Sequence, residues 1–145
     1  MTKPVIIAMV EDDEGHARLI EKNLRRAGVH NEIVPLADGA SAIKFLFGSD
    51  GSGLVNKGRP LLILLDLNLP DMSGIDILKR LKENEHLRVL PVVVLTTTDD
   101  KSEIQRRYDL GCNVYITKPV DHEKFVNAIQ QLGLLMYVMQ IPEAT

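Results

Sequence analysis

The chain has 145 residues, of which 45% are hydrophobic and 26% charged, the proportions of an ordinary folded domain and not of a disordered or fibrous protein. Its formal net charge of −3, with no Lys/Arg cluster, argues against nucleic acid or a membrane surface as a partner. A lone cysteine, Cys112, excludes an internal disulfide, and no apolar run is long enough for a signal peptide or a membrane span, so we expect a cytoplasmic protein.

The first predicted element is a strand at residues 5–10, a continuous apolar run typical of strands that are covered on both faces. A helix follows, with Gly28 at its C-terminal cap and apolar residues at three- and four-residue spacing: Ala17, Ile20, Leu24 and Ala27. Residues 32–36 predict a second strand, in which Pro35 favours a sheet edge. A second helix has one apolar face: Ile43, Leu46 and Phe47.

A long surface loop is predicted at about residues 48–60, where four glycines and Pro60 are mixed with polar residues. It leads into a third apolar strand at residues 61–65. For this loop we favour a tolerated insertion over a binding loop, because surface connections accept added residues easily.

The second half of the chain repeats the alternation of strand and helix. The third helix carries Ile75, Leu78 and Leu81, and the fourth strand lies at residues 92–95. The fourth helix ends at Gly111 and has three apolar positions: Ile104, Tyr108 and Leu110. After a fifth strand at residues 114–116, Asp121 caps a last helix with apolar residues at helical spacing: Phe125, Ile129, Leu132 and Met136.

Five strands alternating with helices predict an α/β fold with a parallel sheet and right-handed crossovers. We expect a flavodoxin-like doubly wound sheet of strand order 2-1-3-4-5 with helices on both faces. The length fits a single domain over residues 1–145, with a C-terminal extension at about residues 136–145 and no output domain.

Polar residues follow the strands where each strand ends: Glu11 and Asp12 after the first, Asp66 after the third, Thr96 after the fourth and Lys118 after the fifth. Ligands bind at the carboxyl ends of the strands in such sheets, so we expect these side chains to converge. Carboxylates about 4 Å apart repel each other by roughly 1 to 4 kcal/mol. A divalent cation with oxygen ligands would offset this repulsion, and Mg²⁺ has that preference.

The predicted group contains a carboxylate nucleophile, a metal pair, a hydroxyl and an amine, which are the parts needed to transfer a phosphoryl group to an aspartate. Taken alone, each residue has an ordinary structural interpretation. Asp66 could form a turn, Asp13 and Glu14 could favour a helix N-terminus, Thr96 could cap a helix and Lys118 could lie in a plain loop. Their joint arrangement at the strand ends favours a role in phosphoryl transfer over these separate structural roles.

At these positions the chain resembles the receiver domain of two-component response regulators over essentially its full length. The matching motifs are VEDD at residues 10–13, DLNLPDMSG at 66–74, TT at 96–97 and KP at 118–119. The resemblance implies that Asp66 is phosphorylated and that Glu11, Asp12, Asp66 and the backbone carbonyl of Asn68 bind Mg²⁺.

The same resemblance implies roles at the ends of the last two strands. Thr96 would be the switch hydroxyl and Lys118 the amine that contacts the phosphoryl group, with a cis peptide between Lys118 and Pro119. Tyr115 lies where the family keeps a switch aromatic, although a half-buried strand tyrosine is the ordinary alternative.

One subgroup is especially similar, the single-domain phytochrome-associated response regulators, which share the 48–60 insertion and a C-terminal extension. This similarity implies a sensor histidine kinase as partner, in particular a bacteriophytochrome. The apolar tail also suggests a homodimer through the fourth helix, the fifth strand and the last helix.

Two other function classes are weighed against a phosphoacceptor. A flavin-binding electron carrier shares the fold, but the acidic loop after the first strand would repel the flavin phosphate. A degenerate receiver that acts only as a protein-interaction module is the closer alternative, and retention of the acidic pair, Asp66, Thr96 and Lys118 argues against it.

Overall fold

The computed structural model describes residues 5–26, 29–96, 111 and 114–117, together with the helical residues 123, 127 and 131. In that part of the chain five strands form one parallel sheet of order β2-β1-β3-β4-β5. The strands are β1 (Ile6–Val10), β2 (Ile33–Leu36), β3 (Leu61–Asp66), β4 (Val92–Thr96) and β5 (Val114–Thr117). The predicted strand order is confirmed.

Three helices connect the described strands: α1 (Glu14–Arg26), α2 (Gly39–Phe47) and α3 (Gly74–Glu83). The side chains of each central strand alternate between two cores, since successive residues of a strand point to opposite faces. On one face, Ile7, Leu62 and Leu64 pack with α1, while Ile63 and Leu65 pack with α2 and α3 on the other. Helices on both faces are thereby confirmed.

The continuous apolar runs are explained by this double cover, because all six residues of β3 are buried. Pro35 lies in the edge strand β2, opposite Met9 of β1. An edge strand forms backbone hydrogen bonds with a neighbour on one side only. Proline, which has no backbone N–H group, is therefore tolerated where that group would point away from the sheet.

The fourth helix and most of the last helix fall outside the described residues, as do Cys112 and the 136–145 extension. Glu123, Asn127 and Gln131 are helical and exposed at four-residue spacing, as the solvent face of the predicted last helix requires. No helix within the described ranges is both long and apolar enough to cross a bilayer.

The predicted loop at residues 48–60 is more ordered than its composition indicates. It contains a short 3₁₀ helix, Leu54–Asn56, and Asn56 is fully buried. The Asn56 amide donates to the carbonyl groups of Phe45 (2.6 Å) and Leu46 (2.8 Å) at the C-terminal end of α2. These carbonyls lack partners within the helix, so Asn56 satisfies them and fixes the loop.

We predict that Asn56→Ala lowers the free energy of unfolding by about 2 kcal/mol, because two carbonyl groups lose their partner. Urea unfolding of the variant and of wild type measures the difference. Ser49→Ala, an exposed substitution in the same loop, serves as the control and should change the free energy by less than about 0.5 kcal/mol. Equal stabilities of the Asn56 and Ser49 variants would contradict this interpretation.

Candidate functional site

The ends of β1 and β3 bring two acidic residues to equivalent positions in neighbouring strands. Val10 is paired in register with Leu65, so the next residue of each strand, Glu11 and Asp66, comes to the same edge of the sheet. Both are buried, with 4% and 1% of their surface exposed. Buried carboxylates are unusual without a charge or hydrogen-bond partner, and this pair therefore marks the region as a candidate site.

Asp12 completes the acidic cluster of Glu11, Asp12 and Asp66. One carboxylate oxygen from each of these residues lies within 4.8 Å of the others, and Asp12 is exposed while its two neighbours are buried. The cluster therefore opens to solvent on the Asp12 side. Its donors are all hard oxygen atoms, the ligand type that Mg²⁺ and Mn²⁺ prefer, so these residues fit a divalent cation.

Glu11 is held in place through both its backbone and its side chain. Its backbone N–H donates to the Leu36 carbonyl (3.1 Å), which continues the pairing of β1 with β2 by one residue. Glu11 Oε1 accepts from the Asp13 N–H (3.3 Å) and lies 3.5 Å from His16 Nδ1. These contacts fix the carboxylate at the sheet edge.

The next two acidic residues, Asp13 and Glu14, stabilise the N-terminal end of α1. Asp13 precedes α1, and its Oδ1 accepts from the His16 N–H (2.9 Å) as an N-cap does. Glu14, in the first turn, forms an exposed ion pair with Arg18. The structural interpretation of the sequence thus applies to Asp13 and Glu14.

Asp66 is oriented by the loop that follows β3. Its Oδ1 accepts from the Asn68 N–H (2.9 Å), a short side-chain contact that turns the chain away from the sheet. Gly74, the first residue of α3, lies directly against this turn. A Cβ atom at position 74 would come within 2.5 Å of the Asp66 carbonyl oxygen, which explains why the DLNLPDMSG segment ends in glycine.

Asp71 joins the same loop to α2, a contact that the sequence analysis missed. Its carboxylate accepts from the N–H groups of Gly39 (2.7 Å) and Ala40 (2.9 Å), while Asp38 caps the Ser41 N–H (2.7 Å). These amides hold the pKa of the Asp71 carboxyl below its usual range. The sequence signal for this contact is that the first turn of α2 contains no acidic residue. The positive N-terminal end of that helix therefore needs a carboxylate from elsewhere in the chain.

The remaining predicted residues are only partly described. Thr96 ends β4 beside Thr117 of β5, and Lys118 and Pro119 follow outside the described residues. The Thr96 side chain is also outside them. Tyr115 is half-buried and packs against the core on the α2 and α3 face of the sheet. Asn68 is exposed and is bridged to Ser73 across its loop.

An open depression of about 580 Å³ adjoins the acidic cluster. It is lined by Asp12 and by most of the loop between β3 and α3, including Asn68 and Asp71. The depression therefore lies on the Asp12 side of the acidic cluster, where the cluster opens to solvent.

Comparisons with a family model and with a curated protein both match this chain to response regulators. Residues 7–130 match the family "response regulator receiver domain". The chain is 39% identical over 134 residues to response regulator Rcp1 of Synechocystis, covering 90% of each protein. The alignment covers most of both proteins, so the similarity extends well beyond the motifs around the acidic cluster.

Three solved structures share the fold. A response regulator receiver domain from Rhodospirillum rubrum is 69% identical with a TM-score of 0.85, covering 95% of this chain and 97% of the other. The bacteriophytochrome response regulator RtBRR is 36% identical (TM-score 0.76; 91% and 79% covered). The Mn²⁺-bound form of Rcp1 is 34% identical (TM-score 0.71; 94% of each covered). The similarity to phytochrome-associated regulators is thereby confirmed.

We predict that Asp71→Asn destabilises the protein at neutral pH and that this difference disappears in acid. The folded state binds the Asp71 carboxylate in its ionised form, so its pKa is lowered on folding. Such a group stabilises the fold above its unfolded pKa of about 3.9, and the stabilisation is lost as the pH falls through the folded pKa.

Urea unfolding of wild type and variant at neutral pH and at successively lower pH tests this prediction, since the lowered pKa of the Asp71 carboxyl in the folded state must be passed before the difference disappears. Glu83→Gln, an exposed substitution on α3, is the control for the loss of one negative charge. If Asp71→Asn and Glu83→Gln have the same effect at neutral pH, the Asp71 contact does not stabilise the loop.

Proposed function

Because the chain belongs to the response regulator receiver domain family, we propose that it is a phosphoacceptor that receives a phosphoryl group on Asp66 from a phosphohistidine. The observation that carries this proposal is the acidic cluster, in which a buried Asp66 lies with Glu11 and Asp12 at the carboxyl end of the sheet. As a receiver, the chain is a signalling domain, and the only reactions proposed for it concern its own phosphorylation.

In the proposed reaction an Asp66 carboxylate oxygen attacks the phosphorus of the phosphohistidine. A P–O bond forms as the P–N bond breaks, and the electron pair leaves on the imidazole nitrogen, which takes up a proton. The Asn68 N–H fixes one Asp66 oxygen, which orients the carboxylate for the attack.

Glu11, Asp12, Asp66 and the carbonyl of Asn68 would hold Mg²⁺, which when bound supplies positive charge at the phosphoryl oxygens. Burial of Glu11 and Asp66 lowers the local dielectric and so strengthens attraction to a cation. The Mn²⁺-bound form of the related Rcp1 supports this choice of metal class.

We assign Thr96 and Lys118 from the family motifs at the ends of β4 and β5. Lys118 would donate to the phosphoryl group, and Thr96 would be the switch hydroxyl drawn toward it. Tyr115 of β5 would then change its packing, which makes it the switch aromatic. A cis peptide before Pro119 remains part of this family-based assignment.

The proposed partner is a sensor histidine kinase. Similarity to the bacteriophytochrome response regulator RtBRR favours a bacteriophytochrome as the specific kinase. A switch that alters β5 would change the face made by the fourth helix, β5 and the last helix, and the partners we propose for that face are the kinase, a downstream protein or a second copy in a homodimer. A degenerate, phosphorylation-independent receiver is less favoured because the acidic cluster is intact.

We predict that incubation with Mg²⁺ and a small phosphodonor adds one phosphoryl group and that Asp66→Asn abolishes the addition. Mass spectrometry of the intact protein measures it, and reductive trapping of the acyl phosphate locates the modified residue. Asp76→Asn, on the exposed side of α3, is the matched control and should be phosphorylated like wild type. Persistent labelling of Asp66→Asn would remove Asp66 from the nucleophile's role.

A further inference from the structure

A second cavity lies between α2 and the loop at residues 48–60, away from the acidic cluster. It has a volume of about 420 Å³, and Lys44, Phe45, Val55 and Arg59 are among its lining residues. Leu54 adjoins Val55 on the same 3₁₀ helix. We refer to Lys44, Phe45, Leu54, Val55 and Arg59 as the basic–apolar patch.

The loop that carries this patch is held in place from two sides. Besides the buried Asn56, the Gly53 N–H donates to the Phe47 carbonyl (2.8 Å) at the end of α2. Asn84, after α3, donates from its amide to the Ser52 carbonyl (2.9 Å). The patch is therefore presented on a defined backbone, which lowers the conformational entropy that binding would remove.

The loop presents apolar surface although it is well ordered. Leu54 and Val55 are 51% and 59% exposed, the highest values among the large hydrophobic residues of the described chain. If the loop were only a tolerated insertion, we would expect polar side chains at these exposed positions. Contiguous exposed apolar surface is instead typical of interaction sites. This observation favours the binding-loop interpretation of residues 48–60.

Neither cation of the patch is neutralised by a carboxylate of the described chain, and Arg59 is also held in position. Arg59 Nη1 donates to Asn56 Oδ1 (2.8 Å), and the guanidinium carbon lies 5.4 Å from the centre of the Phe45 ring. These contacts fix the guanidinium and leave some of its five N–H donors for another group. Within the described ranges no carboxylate forms an ion pair with Lys44 or Arg59.

We propose that the basic–apolar patch binds an acidic, amphipathic segment of a partner protein. Carboxylates of that segment would pair with Lys44 and Arg59, while its aliphatic side chains would cover Leu54 and Val55. Lys44 and Arg59 make the patch locally positive although the chain has a net charge of −3, so the patch complements the charge of such a segment. Exposed aliphatic surface on Val55 inside the cavity and on Leu54 next to it favours a polypeptide over a small anion.

The position of the patch allows binding without obstruction of Asp66. The loop at residues 48–60 enters β3 at Leu61, whereas Asp66 is the last residue of that strand. The two ends of the six-residue strand β3 are five steps apart, about 17 Å at roughly 3.3 Å per residue. An acidic segment bound here would tether the partner and leave the acidic cluster accessible, so this inference does not depend on phosphorylation of Asp66.

Fluorescence anisotropy with a short fluorescein-labelled peptide of alternating Glu and Leu tests the proposal. Lys44→Glu should weaken peptide binding about tenfold, since reversal of one charge at contact distance changes the interaction by more than 1 kcal/mol. Lys22→Glu, an equally exposed reversal on α1 across the sheet, is the matched control and should bind like wild type. Val55→Ser should also weaken binding. A control peptide in which every Glu is replaced by Lys should not bind.

Competing ligands give outcomes that would overturn the proposal. Equal peptide affinities of the Lys44→Glu and Lys22→Glu variants would show that the patch is not the binding site. Displacement of the peptide by inorganic phosphate at similar concentration would indicate a small-anion site. Binding of phosphatidylserine vesicles that Lys44→Glu abolishes, without peptide binding by wild type, would assign the patch to a lipid surface instead.

Discussion

The acidic cluster exists only because the fold overcomes the mutual repulsion of three carboxylates. Parallel pairing of β1 with β3 brings Glu11 and Asp66 to the same end of the sheet, and Asp12 follows directly. Each pair of charges would move apart if the backbone allowed it. The apolar cores on both sides of these strands oppose this, because a change of register would disrupt the packing of side chains that are now buried.

The loop after β3 adds local control over Asp66. Its beginning is fixed by the bond from Asn68 to Asp66, its middle by Asp71 at the N-terminus of α2, and its end by the close approach of Gly74. The loop therefore touches a second helix before α3 begins. A protein that binds the depression beside Asp12 would meet a surface whose shape is set by these contacts.

Much of the fold could be predicted from the sequence because it depends on short-range patterns. Continuous apolar runs predict β1, β3 and β4, and helical spacing predicts α1 to α3. Convergence of Glu11, Asp12 and Asp66 follows from their positions at strand ends. The Asp71 contact could not be predicted in this way, since it joins residues 32 positions apart whose proximity depends on tertiary packing. Likewise, the order of residues 48–60 depends on contacts that a loop-like composition does not reveal, among them the hydrogen bonds of the buried Asn56 side chain.

Calorimetric titration with Mg²⁺ tests the central claim, that the clustered carboxylates form a cation site. Asp12→Asn and Asp13→Asn remove the same charge from neighbouring positions, and Asn still serves as an N-cap at position 13. We predict one Mg²⁺ site in wild type and in Asp13→Asn, with affinity reduced about tenfold or more in Asp12→Asn, since an oxygen ligand and its charge are weakened. Equal affinities of the two variants, or no binding to wild type, would contradict this account.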